Sequence, residues 1–365
     1  MKEIIFFTTD ITVKAGIERI TINLANYFIS QGLSVRIVSN FKTNQSPAYN
    51  HNSKIRFDFL TDRLFSGSPG SFKRLIMFIQ NINRVKKYFA FVKNAIIISQ
   101  AFPNTFVLNL CKKTIKNNVV FVVEHVCYSY YNKIIRAIRL IIYKKFAGTI
   151  LLTTNDYNYF TNHNIRSFLI PNGIELPIKD TNSMRNRNNT IISIGRLVYQ
   201  KNFSELIYVF SELHKKYPDW NLVIYGEGEE RTQLEKLIKE LDIEAYVALP
   251  GVIDDVNEVL LKSSIFVVTS LLEGFSIVLI EAMSNTLACV SYDCPYGPKT
   301  IITDKKDGFL IENQNRNALY ECICYLIDNP DIRESIGINA QESVKRFDIN
   351  VVGKQWLSLF STDVQ

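Results

Sequence analysis

At 365 residues, 47% hydrophobic and 21% charged, the chain has room for two domains of ordinary size and is too apolar to be a disordered polypeptide. Its net charge of +7 hides an asymmetry: residues 1–172 hold 23 Lys and Arg against 7 Asp and Glu, and residues 173–365 hold 19 against 28. No apolar run reaches the ~20 residues of a membrane span; the six cysteines form no Cys-x-x-Cys pair and the four histidines are scattered, which points to a reduced cytoplasm and no structural zinc.

The opening MKEIIFFTTD carries a strand, EIIFFTT (3–9), and not a signal peptide. GIERITINLANYFISQG (16–32) has helical period and stops at Gly32. The next strand is SVRIVSN (34–40). NAIIISQ (94–100), NVVFVVEH (118–125) and TILLTT (149–154) follow, separated by helical stretches at 72–92, 104–116 and 131–146. Short, fully apolar, β-branched runs spaced by helices indicate parallel strands covered on both faces.

The second half repeats this rhythm. TIISIGR (190–196) leads into a helix from about Asn202 to Lys216, and WNLVIYGEGEE (220–230) into RTQLEKLIKEL (231–241). AYVALPG (245–251) leads into DDVNEVLLKS (254–263), and IFVVTS (265–270) into LLEGFSIVLIEAMS (271–284). ACVSY (288–292) and GFLIE (308–312) follow, and the chain ends in helices, the last being INVVGKQWLSLF (349–360). The expected architecture is α/β: two Rossmann-like, doubly wound parallel-sheet domains, 1–172 and 173–345, with 346–365 as a helix packing back toward the first. The junction at 169–190 is rich in Pro, Asn and Ser and has linker composition. Ligands of such sheets bind outside the carboxyl ends of the strands, so two facing domains would enclose a central cleft.

Three strand-end loops of the second half carry the chemistry. In GRLVYQKN (195–202), Gly195 allows close backbone approach, and Arg196 and Lys201 are two cations at a strand end and a helix start, which suits a diphosphate and equally suits two solvated cations on a surface loop. In YGEGEER (225–231), Gly226 and Gly228 leave room for a ligand and allow positive φ, and an ordinary strand-to-helix turn accounts for them as well. In the third, Glu273 sits at the turn, Gly274 makes the bend, and the N–H groups of Phe275, Ser276 and Ile277 open a helix and can hold an anion. Glu281 lies eight residues past Glu273; at ~100° per residue the two fall within ~80° of each other on a helix and would line one pocket. Its apolar neighbours Ile277, Leu279, Ile280, Ala282 and Met283 indicate burial, and a buried carboxylate needs partners such as a vicinal diol.

The basic first half suggests an anionic partner: nucleic acid, a membrane surface or a phosphorylated lipid. YNKIIRAIRLIIYKKF (131–146) places Lys133, Arg136, Arg139 and Lys144 on one helical side and Ile134, Ile135, Ile138, Ile141 and Ile142 on the other. The stretch from Phe72 adds Lys73, Arg74, Arg84, Lys86 and Lys87. Basic amphipathic helices fit an anionic bilayer, although a core-facing apolar stripe with a solvated basic side accounts for the same pattern.

Taken together, the carboxylate, seven residues, carboxylate spacing of Glu273 and Glu281 with its EGF opening, AGIERITINLANYFISQG, EH, IPNGI, GRLVYQK, GEGEER and LPG resemble family 4 of the retaining glycosyltransferases, of GT-B fold, over nearly the whole chain. Ala15 stands where the family's first loop has a glycine. The resemblance implies that Arg196 and Lys201 neutralise the diphosphate of a nucleotide-sugar, supported by N–H groups near Phe275, Ser276 and Ile277. It implies further that Glu281 takes the ribose hydroxyls, Glu273 the transferred sugar, and backbone at Val252 and Ile253 the base. Gly16 would let the first loop close over the donor, and His125 would contact the sugar or the reacting centre. The two cations would do the work of a metal ion, so neither metal nor other cofactor is expected beyond a UDP-sugar donor. DCPYGPK (293–299) is similar to bacterial members that build cell-surface polysaccharide, which implies a lipid-linked or glycan acceptor at the inner face of the plasma membrane, bound by the basic domain, and no nucleic acid. Two other readings stand beside this one: a nucleotide-sugar epimerase of GT-B fold, and a non-catalytic nucleic-acid-binding protein.

Overall fold

The structure, a computed structural model, describes residues 2–66, 72–177, 187–253 and 255–363. The chain forms two compact units. One comprises residues up to Glu175 together with those from Asp348 on, and the other runs from Leu176 to Phe347. Part of the expected linker, 178–186, lies outside the described residues.

The first unit contains β1 (Glu3–Thr8), α1 (Gly16–Ser30), β2 (Val35–Ser39), β3 (Arg56–Phe59), α2 (Phe72–Phe89), β4 (Ala95–Gln100), α3 (Ala101–Leu110), α4 (Lys112–Ile115), β5 (Val119–Val123), α5 (Lys133–Tyr143), β6 (Gly148–Leu151), α6 (Thr154–Asn162) and β7 (Ser167–Leu169). The strands form one parallel sheet of order β3-β2-β1-β4-β5-β6-β7. Side chains alternate across it, as the two-residue strand period requires. Ile4 and Phe6 of β1 face one core with Ile96 and Ile98 of β4, while Ile5 and Phe7 face the other with Ile97. All are essentially inaccessible to water, and full burial of each such side chain contributes about 1.5–3 kcal/mol. The sheet gains two strands that the apolar runs did not announce, β3 and β7. Both lie at its edges, where one flank meets solvent and the sequence need not be uniformly apolar.

The second unit contains β8 (Thr190–Ile194), α7 (Phe203–Lys216), β9 (Asn221–Tyr225), α8 (Arg231–Glu240), β10 (Val247–Gly251), α9 (Val256–Lys262), β11 (Ile265–Val268), α10 (Ile277–Ser284), β12 (Ala288–Tyr292), α11 (Pro298–Ile301), β13 (Phe309–Ile311), α12 (Arg316–Asp328) and α13 (Pro330–Ser343). Its parallel sheet has the order β10-β9-β8-β11-β12-β13. Both units are doubly wound α/β folds.

The last helix, α14 (Ile349–Asp363), returns to the first unit. Ile349 N–H donates to Ile174 O at 2.9 Å, and Trp356 and Phe360 pack with ring centroids 6.5 and 5.5 Å from Phe28 of α1. Gly353 makes this approach close: a Cβ there would lie 2.2 Å from the Tyr27 ring.

On α5 the structure departs from the expected faces: Arg139 turns inward and three isoleucines turn outward. Arg139 is buried, its guanidinium paired with the Glu124 carboxylate, donating to Tyr128 O (3.2 Å) and lying 4.9 Å from the Tyr131 ring centre. Ile142 and Tyr143 share that inward face, whereas Ile134, Ile138 and Ile141 stand in solvent. Glu124, at the end of β5, is the physical reason: a carboxylate buried under α5 demands a cation from it. Asn132 caps the helix, accepting from Ile135 N at 3.0 Å, which fixes its start and so its rotation. Lys133 and Lys144 remain exposed and Arg136 is half-buried.

Candidate functional site

In the second unit the strand order reverses between β8 and β11, and the carboxyl ends of the strands at such a reversal are where open α/β sheets bind ligands. The two loops are sewn together. Leu271 N–H donates to Gln200 O (2.9 Å), Gln200 Nε2 to Leu272 O (2.6 Å), and Thr269 Oγ1 to Lys201 O (3.1 Å). On this frame Lys201 Nζ meets Glu273 Oε1 at 2.5 Å, and Ser270 Oγ donates to the same oxygen at 2.7 Å. Glu273 is only 7% exposed. Arg196 is exposed, and among the described residues its guanidinium has no hydrogen-bond or ion-pair partner. A buried carboxylate held by a lysine, with a free guanidinium five residues earlier in the same loop, can address a ligand that is anionic at one point and hydroxylated at another.

The glycine loop answers to its neighbour rather than to open space. Gly195 N–H donates to Tyr225 O and Leu197 N–H to Glu227 O, both at 2.9 Å. A Cβ on Gly226 would fall 1.8 Å from Gly195 O, and one on Gly228 2.1 Å from Leu197 O. Gly226 has φ +140°, and positive φ is not a feature of Gly228. Both glycines therefore let this loop lie against the Arg196 loop and hold it in place. Gly251, at φ +93°, accepts from Gly226 N–H at 2.8 Å; past it Val252 is 61% exposed and Ile253 half-buried.

The helix after Glu273 begins later than the sequence suggests. Ser276 is the N-cap and Ile277 the first helical residue, while Gly274 forms a bend and Phe275 packs edge-on against Phe347 at 5.5 Å. Glu273 thus lies outside the helix, in a bridge to Tyr296, and rotation about the helix axis does not relate it to Glu281. Glu281 is buried on α10, a helix apolar nearly all round. The Ser276 hydroxyl is buried, does not cap the helix and has no partner among the described residues. The first N–H groups of α10 are free of intrahelical partners by geometry. The proline- and glycine-containing loop also bears on Glu273. Tyr296, at φ +84°, forms the bridge, and a Cβ on Gly297 would lie 2.8 Å from the Glu273 Cβ.

In the first unit, Gly16 opens α1 beyond β1, and His125 stands two residues past β5, at the same carboxyl edge of the sheet. His125 Nε2 donates to Gln100 Oε1 at 2.5 Å, which leaves the lone pair on Nδ1. Gln100 ends β4, and the next residue, Ala101, takes φ +65°, a left-handed backbone that costs a non-glycine residue energy. Sequence reasoning missed Gln100 and Ser270: Gln100 acts on His125, 25 residues away and brought near by the fold, while Ser270 lies three residues before Glu273 in a loop with no pattern that marks it. Burial pushes His125 down from the ordinary 6.5 to about 4, so its imidazole is neutral near pH 7. The unfolded chain takes up this proton below about pH 6.5 and the folded chain does not. Stability contributed by neutral His125 is therefore complete above that pH and is lost as pH falls toward 4, with a slope of up to about 1.4 kcal/mol per pH unit. Urea unfolding across this range will show the decline, and His125→Gln will flatten it.

Residues 177–343 match the family described as glycosyl transferases, group 1. An uncharacterized glycosyltransferase of Haemophilus influenzae is 30% identical over 98% of this chain and 99% of its own. The amylovoran biosynthesis glycosyltransferase AmsD of Erwinia amylovora is 26% identical over 75% of this chain and 81% of its own. Among solved structures, S. aureus TarM, crystallised as a mutant with fondaparinux, α-GlcNAc-glycerol and UDP, superposes with a TM-score of 0.81 at 18% identity, covering 99% of this chain and all of that one. Its fold is the same pair of Rossmann-like units, and with a full-length relative at 30% identity the conclusion follows that the chain belongs to the glycosyltransferases of GT-B fold.

Proposed function

We propose that the chain is a retaining, metal-independent hexosyltransferase that moves a hexose or N-acetylhexosamine from a UDP-sugar to a lipid-linked or polysaccharide acceptor in bacterial surface-glycan synthesis. The observation that carries this reading is the Lys201–Glu273 pair at the point of strand-order reversal, with Arg196, five residues before Lys201, exposed and without a side-chain partner among the described residues. The leaving UDP develops charge on its diphosphate. Arg196, Lys201 and the first N–H groups of α10 are preorganised to receive that charge. Glu273 accepts hydroxyls of the transferred sugar, and its hold on Lys201 sets the lysine between sugar and phosphate. Glu281 accepts from the ribose, and backbone near Val252 and Ile253 reads the base. His125 serves as a neutral hydrogen-bonding group for the sugar, with Gln100 fixing its tautomer. The name of the amylovoran relative and the UDP bound to TarM support the acceptor and donor classes.

Thermal unfolding with UDP, with EDTA present, tests the donor site. A ligand at a hundredfold excess over its Kd stabilises the folded state by about 2.7 kcal/mol. UDP will raise Tm of the wild type, and Arg196→Ala will lose most of that rise while its unliganded Tm stays unchanged. Stabilisation by single-stranded DNA and none by UDP would overturn the reading. Transfer from a panel of UDP-sugars then identifies the sugar.

A further inference from the structure

The orientation of α5 leaves an apolar stripe facing water. Ile134, Ile138 and Ile141 are 72%, 37% and 61% exposed and recur at i, i+4 and i+7, so they share one helical face. Single exposed apolar residues are ordinary; three in a row along one helix mark a contact surface. Exposed Lys133, Lys144 and Lys145 bracket the stripe at both ends of the helix. Neighbouring α3, which packs against α5, ends at Leu110, 45% exposed, and the chain continues through exposed Lys112, Lys113 and Lys116. From residue 110 to 147 the sequence has one acidic residue, Glu124, and it is buried against Arg139.

This pattern discriminates among occupants. A second copy of the chain would set a lysine rim against a lysine rim. An acidic strand of nucleic acid would leave the isoleucines wet. A bilayer with anionic headgroups satisfies both parts: the boundary between headgroups and acyl chains takes the isoleucines, and lipid phosphates take the ammonium groups. We propose that α5 docks the first unit on an anionic bilayer, with Ile134, Ile138 and Ile141 seated at that boundary and Lys133, Lys144 and Lys145 on the phosphates around it. The helix lies in the plane of the surface, since its inward face is occupied by Arg139, Ile142 and Tyr143.

Sedimentation of the full-length protein with vesicles tests this without any turnover, so its failure and the failure of the sugar-transfer reading are separable. The vesicles are pure phosphatidylcholine or an equimolar mixture with phosphatidylglycerol. The wild type will bind the mixed vesicles and prefer them over the pure ones. The triple variant Ile134→Ser, Ile138→Ser, Ile141→Ser will lose at least about tenfold in partition coefficient. The triple variant Lys133→Gln, Lys144→Gln, Lys145→Gln will lose the preference for phosphatidylglycerol. All six side chains face solvent, so circular dichroism and Tm of both variants will match the wild type. Binding by the isoleucine variant equal to wild type would overturn the proposal. So would a wild type indifferent to phosphatidylglycerol, or a dimer in light scattering that the isoleucine variant dissolves while vesicle binding stays constant.

Discussion

On the proposed function, Glu273→Gln will lower turnover by about 10²–10³ while the protein remains folded, a loss of the size seen when one preorganised electrostatic contact is removed. The amide keeps the shape of the side chain and can still accept from Ser270, which now donates to Oε1 at 2.7 Å. What it loses is charge. Lys201 is then no longer neutralised by a carboxylate at 2.5 Å, and, on the proposed function, the sugar hydroxyls lose an anionic acceptor. The lysine is partly in solvent and can turn to water, so Tm moves little. The measurement that separates a sugar contact from a general disturbance is a pair: turnover with the UDP-sugar, and the Kd of UDP alone. A turnover deficit with a near-normal UDP affinity places Glu273 on the transferred sugar. Near-normal turnover removes it from that role.

Arg139→Met destabilises the first unit by about 3–5 kcal/mol, the cost of leaving a buried carboxylate without its counter-charge. Among the described residues Glu124 would retain only the Tyr143 hydroxyl as a strong donor, and Tyr128 O would lose the guanidinium that reaches it at 3.2 Å. Tyr128 is also held by its N–H, which donates to Asp156 Oδ1 at 2.8 Å, so the segment after His125 is pinned from two sides. Denaturant unfolding of Arg139→Met, of Glu124→Leu and of the double variant checks this. The double variant recovers part of the loss, because it removes both charges together; what remains is the buried Tyr143 hydroxyl, which loses its acceptor, and Tyr128 O, which loses its donor. Lys133→Met on the same helix, in solvent, changes stability by less than about 0.5 kcal/mol. Had the basic side of α5 faced water throughout, the two substitutions would behave alike.

The contrast shows what was legible in the sequence. Strands such as AIIIS and VVFVV announce themselves because both of their faces are covered, so composition alone suffices. The helical period of α5 was equally clear, but a period gives a stripe and not the direction in which it points. That direction depends on Glu124, on a different element, and no local pattern records the pairing. The start of α10 was misplaced by two residues because Phe275 looks like a helix-opening residue, whereas its contact with Phe347, 72 positions away, keeps it outside. Glycines were found at the right places for a different reason: Gly226 and Gly228 accommodate the backbone of the Arg196 loop. Lys201 and Glu273 could be proposed as partners of one ligand from their positions at strand ends; that they also partner each other emerges only once β8 and β11 lie side by side.

The return of α14 to the first unit bears on how the protein is made. Trp356 and Leu359 belong to the same buried cluster as Ile4, Phe6 and Phe28, yet they leave the ribosome some 330 residues after Phe28. Domains ordinarily mature in the order of their synthesis. Here the second unit is an insertion within the first, and translation delivers all of its strands before the flank of β1 and α1 can be sealed. A nascent chain halted at Phe347 would carry a complete second unit and an open, greasy flank on the first, a natural target for chaperones.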